Sequence, residues 1–150
     1  MTDRSPSSTG RIDRLEAWRP AVAFATVVFV SSVVPIPGSG GASSANGGFV
    51  PFEPLGPIGL TDPFHLVGYA VLAALVTRAT GRTVRGLVVA VAVATVFGLG
   101  IEVVQAAIPW RGFAWRDVFI NAVGATAGGA TVRAMGFAFR DTGGDGSDPR

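Results

Sequence analysis

The sequence predicts an all-α polytopic membrane protein with four transmembrane helices and both chain ends in the cytoplasm. Three observations carry that expectation. First, 49% of the 150 residues are apolar and only 15% are charged, whereas a soluble domain carries roughly a quarter charged residues. Second, the charges are segregated. From Pro20 to Gly38, Phe64 to Thr77 and Gly86 to Ile108 there is one carboxylate, Glu102, one histidine, His65, and no arginine. Third, arginines cluster before the first apolar run and between the second and third, which is how cytoplasmic connections are marked. A chain of 150 residues is enough for one domain and not comfortably for two.

Taken in order, residues 1–19 are polar and form the expected cytoplasmic N-terminal segment. The first ten residues read as disordered, and Arg11–Arg19 as a short interfacial helix with Trp18 at headgroup depth. The apolar run Pro20–Pro35 is the first span, at the short end of the about 17–25 residues a crossing helix needs. A cleaved signal peptide is the rival reading, because Ser43–Ala45 resembles a small-residue cleavage site. However, about ten residues separate that site from the apolar run, which is long for a cleavage region. Residues 36–61, rich in Gly, Pro and Ser, read as an external loop that brings Phe49, Phe52 and Leu55 to the membrane surface. Asp62-Pro63 opens the second span: aspartate caps free N–H groups and proline suits the first helical position. That span continues to Thr77. The third runs from Gly86 to Ile108 and stops at Pro109. The fourth runs from Asp117 to Phe139, and residues 140–150 form a polar, glycine-rich, disordered cytoplasmic tail. The membrane domain is thus 20–139.

Arg4, Arg11, Arg14 and Arg19 precede the first span, Arg78, Arg82 and Arg85 lie between the second and third, and Arg133 and Arg140 lie near the C-terminus. The loop 36–61 has no basic residue. This bias puts both ends inside. Arg111 and Arg116, between the third and fourth spans, fall on the side the bias disfavours.

Several classes of chemistry are excluded. Without cysteine there are no disulfides, no thiolate nucleophile and no cysteine-ligated metal. With one histidine, a zinc site within one chain is not expected, and no cofactor is expected. All basic residues are arginine, but no basic stripe with interleaved aromatics marks nucleic-acid binding.

Read as helices, the spans align their polar residues. Asp62, His65 and Tyr69 fall at i, i+3, i+7; Gly98, Glu102, Gln105 and Pro109 at i, i+4, i+7, i+11; and Asp117, Asn121, Gly124 and Gly128 repeat that spacing. At 1.5 Å per residue, Glu102 lies about 9 Å below its helix end, and His65 and Asn121 about 5 Å below theirs. Three helices therefore bring polar faces to similar depth near the extracytoplasmic face. A carboxylate in a membrane helix costs about 2.5–3.5 kcal/mol on insertion scales; protonation, or pairing with Arg111, Arg116 or His65, lowers that cost, and Glu102 reads as part of a site more than as a structural ion pair. Plainer roles stand beside this: Asp62 and Asp117 as caps, His65 as an interfacial residue, and Gly98, Gly124 and Gly128 as packing positions. Gln105 and Asn121 could serve as interhelical hydrogen-bond partners worth about 1 kcal/mol each.

The stretches DPFHLVGYAVLAAL and GLGIEVVQAAIPWRGFAWRDVFINAVGATAGG resemble the VanZ-like family of small membrane proteins. Asp62, His65, Tyr69, Glu102, Gln105, Pro109, Arg111, Asp117, Asn121, Gly124 and Gly128 match its pattern over residues 62–129. Pro63 departs from it, where the family commonly has lysine. The resemblance implies a multi-span envelope protein and, through the family's founding member, a link to low-level glycopeptide resistance.

Three functional readings follow. In the first, Arg111 and Arg116 hold the phosphate of an anionic lipid or lipid-linked phosphate. Gln105 and Asn121 orient it, Asp62, Asp117 and Tyr69 complete the site, and Glu102 or His65 serves as base if chemistry occurs. In the second, the polar cluster only locks the helices of a structural or regulatory protein. The third is a proton-coupled transporter, which the absence of an internal repeat and the almost purely Val and Ala stretch Leu87–Thr95 disfavour. The expected partner is the lipid bilayer, and a homo-oligomer stays open.

Overall fold

A computed structural model describes residues 9–34, 62–108 and 112–141. The expected external loop 36–61, residues 142–150 of the expected tail and Pro109 to Arg111 lie outside the described residues, while Arg140 and Asp141, expected in that tail, continue the last helix. Four helices account for nearly everything described: α1 (Thr9–Val33), α2 (Asp62–Thr80), α3 (Val84–Ala106) and α4 (Trp115–Asp141). There is no strand among the described residues. All four elements coincide with apolar runs read from the sequence, with shifted ends. The clearest difference is α1, which runs without a break through Pro20. The expected interfacial helix Arg11–Arg19 and the first apolar run are therefore one element. Proline removes the N–H that would reach back to the carbonyl of Glu16 and its ring crowds that carbonyl, yet the helix continues past it.

The helices alternate in direction. Glycines on α4 fix its alignment with α2: a Cβ on Gly124 would collide with the carbonyl of Leu66, and one on Gly128 with that of Ala70. Four residues along one helix match four along the other, so α2 and α4 run parallel with their backbones in contact. Helix α3 runs against both. A Cβ on Gly129, late in α4, would meet Leu87, early in α3, and Thr77, late in α2. Helix α1 ends beside the end of α3, where Ser32 meets Gln105.

The α2–α3 connection is only three residues long. Gly81 takes φ +100°, open to glycine without a Cβ penalty. The Thr83 hydroxyl then caps α3 by accepting from the Gly86 N–H at 3.0 Å.

The interior is built from small residues. Ala73, Ala90, Ala94 and Ala125 are fully buried with Tyr69, Leu72 and Val76. Small side chains let helices approach closely where lipid offers no hydrophobic drive between them. Helix α1 leans on α2 and less on α3, and does not touch α4 among the described residues. The exterior is apolar: Val27, Phe64, Val67, Val96, Val103 and Phe119 are all exposed, while Glu102, Gln105 and Asn121 are buried. By length and composition α2 and α3 can each cross a membrane, and only 28% of the most apolar stretch of either is buried inside the protein. A helix so apolar at the core of a soluble domain would be mostly buried; these present their apolar side chains outward.

A polar cluster where three helices meet

At the end of the bundle where α2 and α4 begin and α3 stops, the polar faces read from the sequence converge. Asp62 and Arg116, the first residue of α2 and the second of α4, form an ion pair, with Nη2 donating to Oδ2 at 2.5 Å. The pair is largely enclosed, the two side chains being 12% and 23% exposed. One turn further in, His65 Nδ1 stands 3.4 Å from the Asp117 carboxylate and makes no hydrogen bond. This is an electrostatic contact at a distance too long for a strong hydrogen bond.

Asp117 is the third residue of α4, inside the first turn. Its N–H and that of Val118 bond back to the carbonyl of Ala114, so Asp117 does not occupy the cap position. A carboxylate there is still favoured by the positive end of the helix dipole.

Glu102 is 1% exposed, and its Oε2 accepts the backbone N–H of Ala114 at 2.9 Å. Ala114 immediately precedes α4, where N–H groups have no partner within the helix. The buried carboxylate thus ties the end of α3 to the start of α4. Of the cations expected beside Glu102, Arg116 is engaged with Asp62 and His65 faces Asp117; Arg111 lies outside the described residues. Gln105 donates from Nε2 to the carbonyl of Ser32 at 3.0 Å, satisfying one of the open carbonyls at the end of α1 and anchoring that helix to α3.

Tyr69 and Asn121 fill the inner part of the cluster. Tyr69 is 3% exposed, meets the edge of His65 with ring centroids 6.5 Å apart, and packs against Phe97 at 6.4 Å. Gly98 makes room for both: a Cβ there would come within 2.7 Å of Asn121 Nδ2 and 2.9 Å of Tyr69 Cε1. Asn121 is 1% exposed, and its Oδ1 has no hydrogen-bond partner. Arg116 Nε is likewise buried without one. Buried polar groups are nearly always paired, so these atoms mark unused hydrogen-bonding capacity. Among the described residues no group of acidic and histidine side chains could hold a metal ion.

Every described site residue expected from the sequence is therefore in this one cluster or on the seam beneath it, where Gly124 and Gly128 bring α4 onto α2. Sequence reasoning missed Ser32, Ala114 and Phe97. The first two contribute only backbone atoms, for which side-chain patterns carry no signal. Phe97, adjacent to Gly98, was open to detection as a neighbour of Tyr69.

An apolar exterior around a buried polar cluster on alternating helices defines a helical membrane protein. The VanZ/LLP1 family model matches residues 18–136, and the chain belongs to that family. No curated protein and no solved structure matches it.

Proposed function

We propose that this chain is a four-span protein of the cell membrane, with both ends cytoplasmic, whose polar cluster binds the phosphorylated headgroup of an anionic lipid or lipid-linked phosphate at the extracytoplasmic face. Span length supports α4 as a crossing helix. Arg116 and Arg133 are 17 residues apart, about 25 Å along a helix, close to the hydrocarbon thickness of a bilayer. Loop charge supports the orientation, since Arg78, Arg82 and Arg85 lie at the end opposite the cluster.

The observation that carries the binding reading is the set of unused polar atoms at one end: Arg116 Nε, Asn121 Oδ1 and His65 Nδ1. A phosphate oxygen would accept from Arg116, which Asp62 holds in place through a different nitrogen. A headgroup hydroxyl would donate to Asn121. Guanidinium suits this task because its planar donors match phosphate oxygens. Arg111, five residues beyond the end of α3 by chain position, belongs to the same proposal. Glu102 already accepts a backbone N–H, which favours an organising role for it over that of a general base.

A second reading has its own support. The Asp62–Arg116 pair, the His65–Asp117 contact and the Gln105–Ser32 bond all join one helix to another, as a purely structural lock would. One comparison separates the two. Wild type and Asp62→Asn/Arg116→Gln, which removes both charges together, would be purified in detergent and their co-purified lipids identified by native mass spectrometry. Headgroup binding predicts a phosphorylated lipid retained by wild type and lost from the variant. The same lipids on both, with only a lower melting temperature for the variant, would establish the lock instead.

A further inference from the structure

A second concentration of charge lies at the other end of the bundle. Arg78 on α2, Arg82 in the α2–α3 connection, Arg85 on α3 and Arg133 on α4 stand there, and no described carboxylate pairs with any of them. Two of these arginines converge on the last turns of α4. The stem of Arg82 lies across Gly136, where an added Cβ would come within 2.8 Å of its Cδ and 3.2 Å of its Cβ. The Arg133 guanidinium stacks on Phe137, 5.0 Å from the ring centroid, and its Nε is buried without a hydrogen-bond partner. Gly136 and Phe137 are adjacent, so the two side chains are pinned by neighbouring residues, one by packing and one by a cation–π contact. Apolar side chains are exposed at the same end: Val84 and Val88 on α3, Met135 and Phe137 on α4.

We infer that Arg82 and Arg133 form a binding site for the phosphate of an anionic phospholipid in the leaflet facing the α2–α3 connection. Guanidinium donors with no acceptor among the described residues, one with its stem against Gly136 and one stacked on Phe137, sit beside exposed apolar surface, and a phospholipid offers both complements in one molecule. Its phosphate accepts from the arginines, and its acyl chains lie along the valines and Met135. A free inorganic anion would meet only the first need. Basic side chains next to a membrane span gain about 1 kcal/mol each from an anionic lipid surface, and stacking on Phe137 reduces the rotamer entropy that Arg133 loses on binding. The site is separate from the Asp62–Arg116 cluster, and it stands whether or not that cluster binds a headgroup.

The test uses the full chain in detergent and native mass spectrometry with added phosphatidylglycerol or phosphatidylcholine. Wild type should retain phosphatidylglycerol preferentially. Arg82→Gln/Arg133→Gln should weaken that retention about thirty-fold, near fivefold for each arginine, when compared in an Arg116→Gln background so that lipid held at the opposite end does not contribute. Should the double variant lose its helical circular dichroism, Arg82→Lys/Arg133→Lys takes its place; it keeps the charge but not the forked donors, and should lose several-fold. Equal retention of the two lipids by wild type overturns the inference. So does undiminished phosphatidylglycerol binding by the folded double variant, or a preference abolished only by Arg116→Gln, which would move the lipid to the opposite end.

Discussion

The two ends of the bundle treat charge in opposite ways. Where α2 and α4 begin, charged and polar side chains are drawn inward and engaged with one another or with backbone: Asp62 with Arg116, His65 near Asp117, Glu102 on the Ala114 N–H. At the α2–α3 connection Arg78, Arg82 and Arg85 are exposed and have no carboxylate partner among the described residues. The contrast teaches that charge in this protein does two jobs. Enclosed, it joins helices and holds unused donors and acceptors in place; exposed, it meets whatever lies beyond the bundle. Both ends share the same packing, since the Ala and Gly contacts between α2 and α4 continue from one to the other.

Three variants would sharpen or break that comparison. The largest effect is expected from Arg116→Ala, which leaves Asp62 enclosed without its cation. Breaking a buried pair from one side costs about 3 kcal/mol, and unfolding in mixed detergent micelles followed by circular dichroism should show a loss of that order. A change below about 0.5 kcal/mol would mean that the pair is solvated like a surface ion pair and would erase the difference between the ends. Glu102→Ala should come next. It removes the acceptor for the Ala114 N–H at the start of α4 and should cost about 2 kcal/mol, with hydrogen exchange fastest at residues 112–118. Protection unchanged there would show that α4 begins without help from α3. The smallest effect is expected from Arg78→Gln/Arg85→Gln at the far end, whose exposed side chains should alter stability by less than about 0.5 kcal/mol. A loss comparable to that of Arg116→Ala would show that the exposed arginines, too, hold the fold.

Much of the cluster was legible because membrane helices make polar residues conspicuous. Asp62, His65 and Tyr69 stand out at i, i+3, i+7 against an apolar background, as do Glu102 with Gln105 and Asp117 with Asn121. Helical spacing alone places each set on one face, and loop charge places the faces at one end. The partners were less legible. Asp62 reads as a helix cap, yet its carboxylate reaches across to Arg116, 54 positions away. For Glu102 the side-chain pattern gives no sign of the main-chain N–H of Ala114, which one of its carboxylate oxygens accepts. Helix α1 was misread at its start because a proline at position 20 looks like a boundary, and local propensity does not reveal that the chain carries the helix past it.

The sequence by itself determined that this chain forms apolar helices, that Gly124 and Gly128 mark a close-packing face, and that polar residues gather near one end. Those features are local, following from side-chain chemistry and the 3.6-residue period of a helix. Tertiary structure decided which groups meet. The parallel alignment of α2 and α4, set by Gly124 over Leu66 and Gly128 over Ala70, brings the start of one helix beside the start of the other. Asp62 therefore finds Arg116, and His65 faces Asp117. Pairings of this kind depend on the register between helices far apart in the chain, and that register is fixed only when their backbones come into contact.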